Sequence, residues 1–136
     1  MRGLRVEYRL VDQLPLSQDI AEHMHANSVY GGVAIVAKHP ARLHALLRRQ
    51  WFELIRTSGS PALTPQTRQL HFSADLLHSS VAADVTIATA DEFLLAPPIC
   101  RIMYVTYALS NVRLRQITGF MPEQALVVLY EEPFDE

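Results

Sequence analysis

The feature that most constrains this fold is a short apolar run followed directly by a long amphipathic segment, over residues 33–57. Residues 33–37 read VAIVA, a pattern typical of a strand buried on both faces of a sheet. Pro40 suits the first turn of a helix, where its missing N–H has no partner in any case. From residue 41 to 56 the apolar residues form one helical stripe, at Leu43, Leu46, Leu47, Trp51, Leu54 and Ile55. Gly59 and Pro61 end the predicted helix.

The rest of the chain adds one more main helix and several strands. Residues 4–11 alternate, which predicts a strand with one solvated face; Val6, Tyr8 and Leu10 lie on one side, and Glu7 and Arg9 on the other. A helix is predicted over residues 18–27, with Ser17 as its cap. Further strands are predicted over 68–73, 84–89, 99–109 and 125–131, and one helical turn over 90–95. Residues 112–118 fit a strand or a short helix, and Ser110 and Gly119 on either side favour the helix.

These elements predict an α/β fold, with α+β as the alternative. We expect a single-layer mixed sheet of five to six strands, with two main helices over 18–27 and 41–56. The order begins βαβα and continues mostly with strands, and the last strands can include an antiparallel pair. The 136 residues fit one domain over 1–136, with a flexible loop at about 57–67 and a short acidic tail at 131–136.

The composition favours a cytoplasmic protein outside the membrane. Cys100 is the single cysteine, so an internal disulfide is excluded. The N-terminal residues alternate charged and apolar side chains and lack the apolar core of a signal peptide. The longest apolar runs are far shorter than the ~20 residues that a membrane-spanning helix needs.

The turn between the strand at 33–37 and the following helix is the first candidate site. Lys38 and His39 lie where the chain leaves the strand, and Arg42 follows in the first turn of the helix. In open α/β sheets, ligands bind at the carboxyl ends of strands, where helix N-termini present free N–H groups. These residues therefore predict a site for a phosphate or another anion. The turn has no glycine-rich phosphate-binding motif, and a polar turn without a ligand is the alternative.

A row of arginines on the predicted helix is the second candidate site. Arg42, Arg49 and Arg56 are spaced by seven residues, which places their guanidinium groups roughly 10 Å apart along one helix face. Such a row can follow a nucleic-acid backbone. Glu53 lies within the row and can pair with Arg49 or Arg56, so a solvated face with ion pairs is the alternative. The net charge of −2 is also less basic than is usual for nucleic-acid-binding domains.

No motif in the sequence predicts a cofactor, a metal site or a catalytic centre. The six histidines show no HxxxH or HExxH spacing, and no serine lies in a GxSxG context. We therefore expect no cofactor and no metal, and we favour a protein that is not an enzyme. A small hydrolase that uses His39 or His44 as its acid or base is the least favoured alternative.

The sequence thus predicts a small binding or regulatory module that acts through protein–protein or homo-oligomeric contacts, such as a homodimer. Trp51 and Phe52 are adjacent, so one of them points away from the helical stripe, and both are candidate interface anchors. A nucleic-acid or nucleotide-phosphate binding protein, using Lys38, His39, Arg42, Arg49 and Arg56, is the main alternative.

Overall fold

The computed structural model describes residues 3–11, 14–27, 32–58, 71–73 and 84–131. Within these ranges the strands are β1 (Arg5–Leu10), β2 (Val33–Val36), β3 (His71–Ser73), β4 (Asp84–Ala88), β5 (Ile102–Val105) and β6 (Leu126–Glu131). The helices are α1 (Leu16–Ala26), α2 (Pro40–Ser58), α3 (Ala90–Leu95) and α4 (Asn111–Ile117). No helix in these ranges is both long enough and apolar enough to cross a membrane.

The six strands form one sheet in the order β1-β6-β5-β2-β4-β3. The predicted α/β class and single-layer sheet are confirmed. Each pairing between the described strands is parallel, so the antiparallel pair that the sequence allowed does not occur among them. Among the described residues, α1, α3 and α4 each lie between two consecutive strands, and α2 follows β2. A helix returns the chain to the end of the sheet where the previous strand began, so the next strand runs parallel to it.

Helices cover both faces of the sheet. On one face α1 and α2 pack over the first apolar cluster, which includes Ile20, Leu47, Ile35 and Tyr104. On the other face α3 and α4 pack over the second cluster, which includes Phe93, Ile117, Met103 and Val127. Helices α1 and α2 carry the chain across the sheet towards β3, whereas α3 and α4 carry it towards β1. Right-handed crossovers in opposite directions place their helices on opposite faces, as is observed.

The strand–helix unit at β2 and α2 is observed as predicted. All four residues of β2 are buried, which agrees with its unbroken apolar sequence. On α2 the stripe turns Leu43, Leu47 and Trp51 into the core. The helix is longer than predicted and runs to Ser58, where Thr57 Oγ1 donates to the carbonyl oxygen of Glu53 at 2.9 Å.

Several predicted boundaries need correction. Helix α1 begins at Leu16, and its N-cap is Pro15, whose backbone is extended and whose carbonyl accepts from Asp19 N at 3.0 Å. Ser17 is a buried residue of the first turn, so its predicted role as the cap was wrong. The ambiguous segment at 112–118 is helix α4, and Ser110 Oγ accepts from Arg113 N at 3.2 Å. Residues 59–67 of the predicted loop and 132–136 of the predicted tail lie outside the described residues.

Strand β1 shows the predicted alternation but an unusual orientation. Its apolar side chains face away from α1 and α2 and remain exposed, by 37% at Val6, 65% at Tyr8 and 59% at Leu10. Its charged residues Glu7 and Arg9 face α1 and are half-buried. A strand normally buries its apolar side, so this inverted orientation marks β1 as a candidate functional surface.

Candidate functional site

Strand β1 lies at one end of the sheet, and β6 is its neighbour. The parallel register places Val6 opposite Val127 and Tyr8 opposite Leu129, on the face that α3 and α4 cover further along the sheet. We call Val6, Tyr8 and Leu10 the β1 apolar row. A row of exposed apolar side chains on a strand at the end of a sheet is typical of a surface that binds another polypeptide.

The same three residues direct their backbone polar groups away from the sheet. Arg5 N donates to Ala125 O at 2.9 Å, so the backbone groups of Arg5 face β6. In a parallel pair, alternate residues of a strand bond to the same neighbour, so Glu7 and Arg9 also face β6. Val6, Tyr8 and Leu10 therefore present their N–H and C=O groups at the open edge. These groups are a template for another strand.

A polar network lies under β1, on the opposite face from the β1 apolar row. The Arg9 guanidinium donates twice to Asp19 of α1, with Nε–Oδ2 at 2.8 Å and Nη2–Oδ1 at 2.9 Å. The hydroxyl of Tyr130 in β6 donates to Asp19 Oδ2 at 2.8 Å. Burial opposes the ionisation of Asp19, but the hydrogen bonds from Arg9 and Tyr130 outweigh it and lower the pKa of the carboxyl. One carboxylate thus connects α1 to both β1 and β6.

A second branch of the network runs through Glu7 and His23. Arg9 Nη1 donates to Glu7 Oε2 at 3.0 Å, and His23 Nε2 lies 3.1 Å from the same oxygen. Because a carboxylate accepts only, His23 Nε2 donates this bond. His23 Nδ1 lies 2.8 Å from the Tyr104 hydroxyl. Burial of Glu7 is outweighed by the bonds from Arg9 and His23, which lower its pKa, whereas burial raises the pKa of Tyr104.

The network explains why the charged side of β1 faces the helix. The first residue of the strand is also held, because Arg5 Nε donates to Gln124 O at 2.9 Å. With Glu7 and Arg9 fixed beneath α1, the period of two in a strand forces Val6, Tyr8 and Leu10 to the opposite side. The orientation of this edge is therefore set by contacts within the chain.

Only a weak signal in the sequence pointed to this network. Asp19 and His23 are four residues apart on α1, which places them on one helix face. Neither residue belongs to a recognised motif, and Arg9 lies ten residues before Asp19 in the chain. A charged strand face beside a helix that carries Asp and His on one side was the available clue.

The first sequence-predicted site lies at the carboxyl edge of the sheet, next to the end of β2. Lys38 and His39 are exposed, and Arg42 is exposed in the first turn of α2. Lys38 Nζ lies 5.7 Å from the centre of the Tyr107 ring, which follows β5. The Tyr107 hydroxyl in turn accepts from Ala90 N, at the start of α3, at 3.2 Å. The structure thus brings the ends of β2, β4 and β5 together around Lys38.

This edge is also where the chain changes direction across the sheet. After β2 the chain enters α2 on one face, whereas after the flanking strands β4 and β5 it enters α3 and α4 on the other face. Such a change of face opens a crevice at the strand ends, which is where α/β sheets bind their ligands. Thr106 closes part of this space, since its N and Oγ1 both donate to Val36 O, at 3.1 and 2.7 Å.

The arginine row lies on the exposed side of α2. Arg42, Arg49 and Arg56 are all exposed, as their spacing predicted. Arg56 forms an ion pair with Glu53, and this hydrogen bond raises the pKa of the guanidinium. Part of the positive charge of the row is therefore neutralised within the helix.

The two aromatic candidates on α2, Trp51 and Phe52, point to different sides of the helix, as adjacent helix residues must. Trp51 is completely buried in the first apolar cluster, so its predicted role as an interface anchor needs correction: the indole has no surface to offer a partner. Phe52 is 47% exposed, and the Arg48 guanidinium carbon lies 5.4 Å from the centre of its ring.

The described residues contain no group of three or more His, Cys, Asp or Glu side chains arranged to hold a metal ion. His39 is exposed before α2, and His44 is half-buried on that helix. Cys100 is 3% exposed, and burial raises the pKa of its thiol to about 12. At neutral pH this cysteine therefore remains a protonated core side chain.

No protein-family model and no curated protein matches the chain. Among solved structures it is similar to the crystal structure of T. fusca Cas3, with a TM-score of 0.57 and 18% identity over 97% of this chain. It is also similar to the crystal structure of T. fusca Cas3-ATP, with a TM-score of 0.57 and 16% identity over 98% of this chain. In both cases the chain spans only 18% of the length of Cas3. At this level of identity the likeness shows a shared fold.

Proposed function

We propose that this protein is a non-enzymatic binding module that recognises another polypeptide at the open edge of β1. The observation that carries the proposal is the inverted orientation of the strand, which exposes Tyr8 by 65% and Leu10 by 59%. Outward backbone groups on the same residues would supply main-chain hydrogen bonds, and the β1 apolar row would supply side-chain contacts. A partner that adds a strand uses both.

The orientation of β1 is the opposite of the one that the hydrophobic effect alone favours. Turning the apolar side of β1 inward would bury Tyr8 and Leu10, at about 25 cal/mol for each Å² of apolar surface. The chain instead places Glu7 and Arg9 against α1 and satisfies both with ion pairs. The ion pairs thus compensate for the apolar side chains that β1 leaves exposed. Such a local departure from the normal hydrophobic pattern is typical of a functional surface.

The proposal is tested by photo-crosslinking in the native host. A photoreactive phenylalanine derivative replaces Tyr8 in one variant and Phe120, which is similarly exposed at 64%, in the control. We expect discrete crosslinked species at position 8 and none at position 120. The absence of any discrete species at position 8, with the protein folded and expressed, contradicts the proposal.

A second candidate function is the binding of a nucleotide phosphate or a nucleic acid at the carboxyl edge of the sheet. It is favoured by the position of Lys38, His39 and Arg42 beside β2, where the chain changes face. One of the similar structures is that of T. fusca Cas3-ATP, so ATP is the first ligand to test. Two features weigh against a strong site: Pro40 has no backbone N–H to offer an anion, and Arg56 forms an ion pair with Glu53.

This candidate predicts salt-sensitive binding of ATP or of a single-stranded oligonucleotide. We expect a Lys38→Ala, Arg42→Ala double variant to lose affinity, because each removes a positive charge at the strand end. Arg101→Ala is the control, since Arg101 is exposed but precedes β5 at the opposite edge. Titrations at low and moderate salt measure the effect. No binding to the original protein at low salt rules the candidate out.

A further inference from the structure

We propose that the β1 edge binds a second copy of this chain, with the two β1 strands antiparallel and related by a two-fold axis through Tyr8. This inference rests on the proposed function, because it names the partner of the same edge. The two sheets would join into one continuous sheet of twelve strands, six from each copy. The backbone register and the charges of β1 both support this pairing.

The backbone restricts which registers are available. Within β1, the residues that direct their N–H and C=O groups at the open edge are Val6, Tyr8 and Leu10. In a paired ladder, each of them must therefore lie opposite one of these same three residues in the other copy. In the register centred on Tyr8, Val6 faces Leu10, Tyr8 faces Tyr8, and Leu10 faces Val6. Each facing pair exchanges two hydrogen bonds in an antiparallel ladder. All the outward groups of both strands are then satisfied.

The charges of β1 select this register from its neighbours. Arg5, Glu7 and Arg9 alternate in sign along one side of the strand. Centring on Tyr8 places Glu7 of each copy opposite Arg9 of the other, in the closely spaced pairs that bring side chains together. Centring on Glu7 would oppose two carboxylates and also Arg5 with Arg9, and centring on Arg9 would oppose two guanidinium groups. Centring on Val6 is compatible with the charges, but it leaves Leu10 with no facing residue within β1 of the other copy.

The side chains have the exposure that this pairing needs. Those of Glu7 and Arg9 retain 37% and 36% of their surface while bonded to α1, so they can also meet a charge from the other copy. On the opposite side, Val6 would contact Leu10, and the two Tyr8 rings would pair across the axis. Aromatic and aliphatic cross-strand pairs of this kind stabilise sheets.

Sedimentation equilibrium over a range of concentrations tests the inference on the full chain. We expect a species of twice the 15.4 kDa chain mass. Tyr8→Lys places two ammonium groups opposite each other at the axis, and should raise the dissociation constant about a hundredfold or more. Phe120→Lys is the matched control, with 64% exposure against 65% for Tyr8, and should leave the dimer unchanged. Circular dichroism verifies that both variants fold.

Disulfide trapping tests the register. In an antiparallel hydrogen-bonded pair the Cα atoms lie about 5.5 Å apart, which suits a disulfide. Tyr8→Cys should therefore crosslink under mild oxidation. Val6→Cys should not, because the two copies of residue 6 lie about 13 Å apart along the strands. Cys100 is buried and adds no background in either variant.

The outcomes separate this inference from the proposed function. A monomer at every concentration, a dimer that Tyr8→Lys leaves intact, or crosslinking of Val6→Cys but not of Tyr8→Cys overturns the pairing at Tyr8. If photo-crosslinking at position 8 then yields a different protein, the proposed function stands and the second copy is wrong as the partner. A dimer that depends on Tyr8 and crosslinks through position 8 supports both.

Discussion

Asp19 joins three elements through one carboxylate, because it lies on α1 and accepts from Arg9 of β1 and Tyr130 of β6. Asp19→Ala leaves the guanidinium and a buried hydroxyl without this partner. We expect the free energy of unfolding to fall by about 2–3 kcal/mol, as is usual for hydrogen bonds to charged groups. Urea denaturation measures the change.

Asp91→Ala is the control for this change at the residue scale. Asp91 also pairs with an arginine, Arg113, but both side chains are largely exposed. Surface pairs of this kind contribute at most about 1 kcal/mol. Equal losses in the two variants would mean that the network under β1 is no more important than a surface ion pair.

At the scale of the element, the short helix α3 depends on its cap. Thr89 Oγ1 accepts from Glu92 N at 3.2 Å, and the Glu92 carboxylate accepts from Thr89 N at 3.0 Å. A six-residue helix has few internal hydrogen bonds, so Thr89→Ala should lower the free energy of unfolding by about 1 kcal/mol. Thr89→Ser keeps the hydroxyl and should retain most of the stability in the same denaturation experiment. Similar losses in both variants would contradict a role for the capping bond.

The elements also differ in how far the sequence predicts them. The buried strand β2 and the stripe of α2 were predicted, because residues that must all be buried carry an apolar pattern of their own. The alternation of β1 was predicted too, but its orientation depends on Asp19 and His23, which reach the strand only after folding. Likewise, the order of strand and helix predicted that Lys38 and His39 lie at a strand end. The contact of Lys38 with Tyr107 could not be predicted, because it depends on β5 lying next to β2 in the sheet.

At the scale of the whole molecule, the polar network couples folding to pH. Glu7 and Asp19 both have lowered pKa values in the fold, so the unfolded chain binds more protons in acid. Their contribution to stability is complete above their unfolded pKa values, near 4 for such carboxyls. It is lost as the pH falls through the lower values of the folded state.

We expect these two groups to make a constant contribution to the free energy of unfolding between about pH 7 and pH 5. Below about pH 4 their contribution declines, and the free energy of unfolding falls with it. The measurement is made in the Tyr8→Lys background, so that dissociation of a dimer does not contribute to the transition. Adding Asp19→Asn should make the decline between neutral and acid pH smaller, because an amide binds no proton in this range. An unchanged decline would place the acid sensitivity in other carboxyls and would leave the network under β1 without a role in it. The same protonation should weaken the proposed dimer, since Glu7 must be ionised to pair both with α1 and with Arg9 of a second copy.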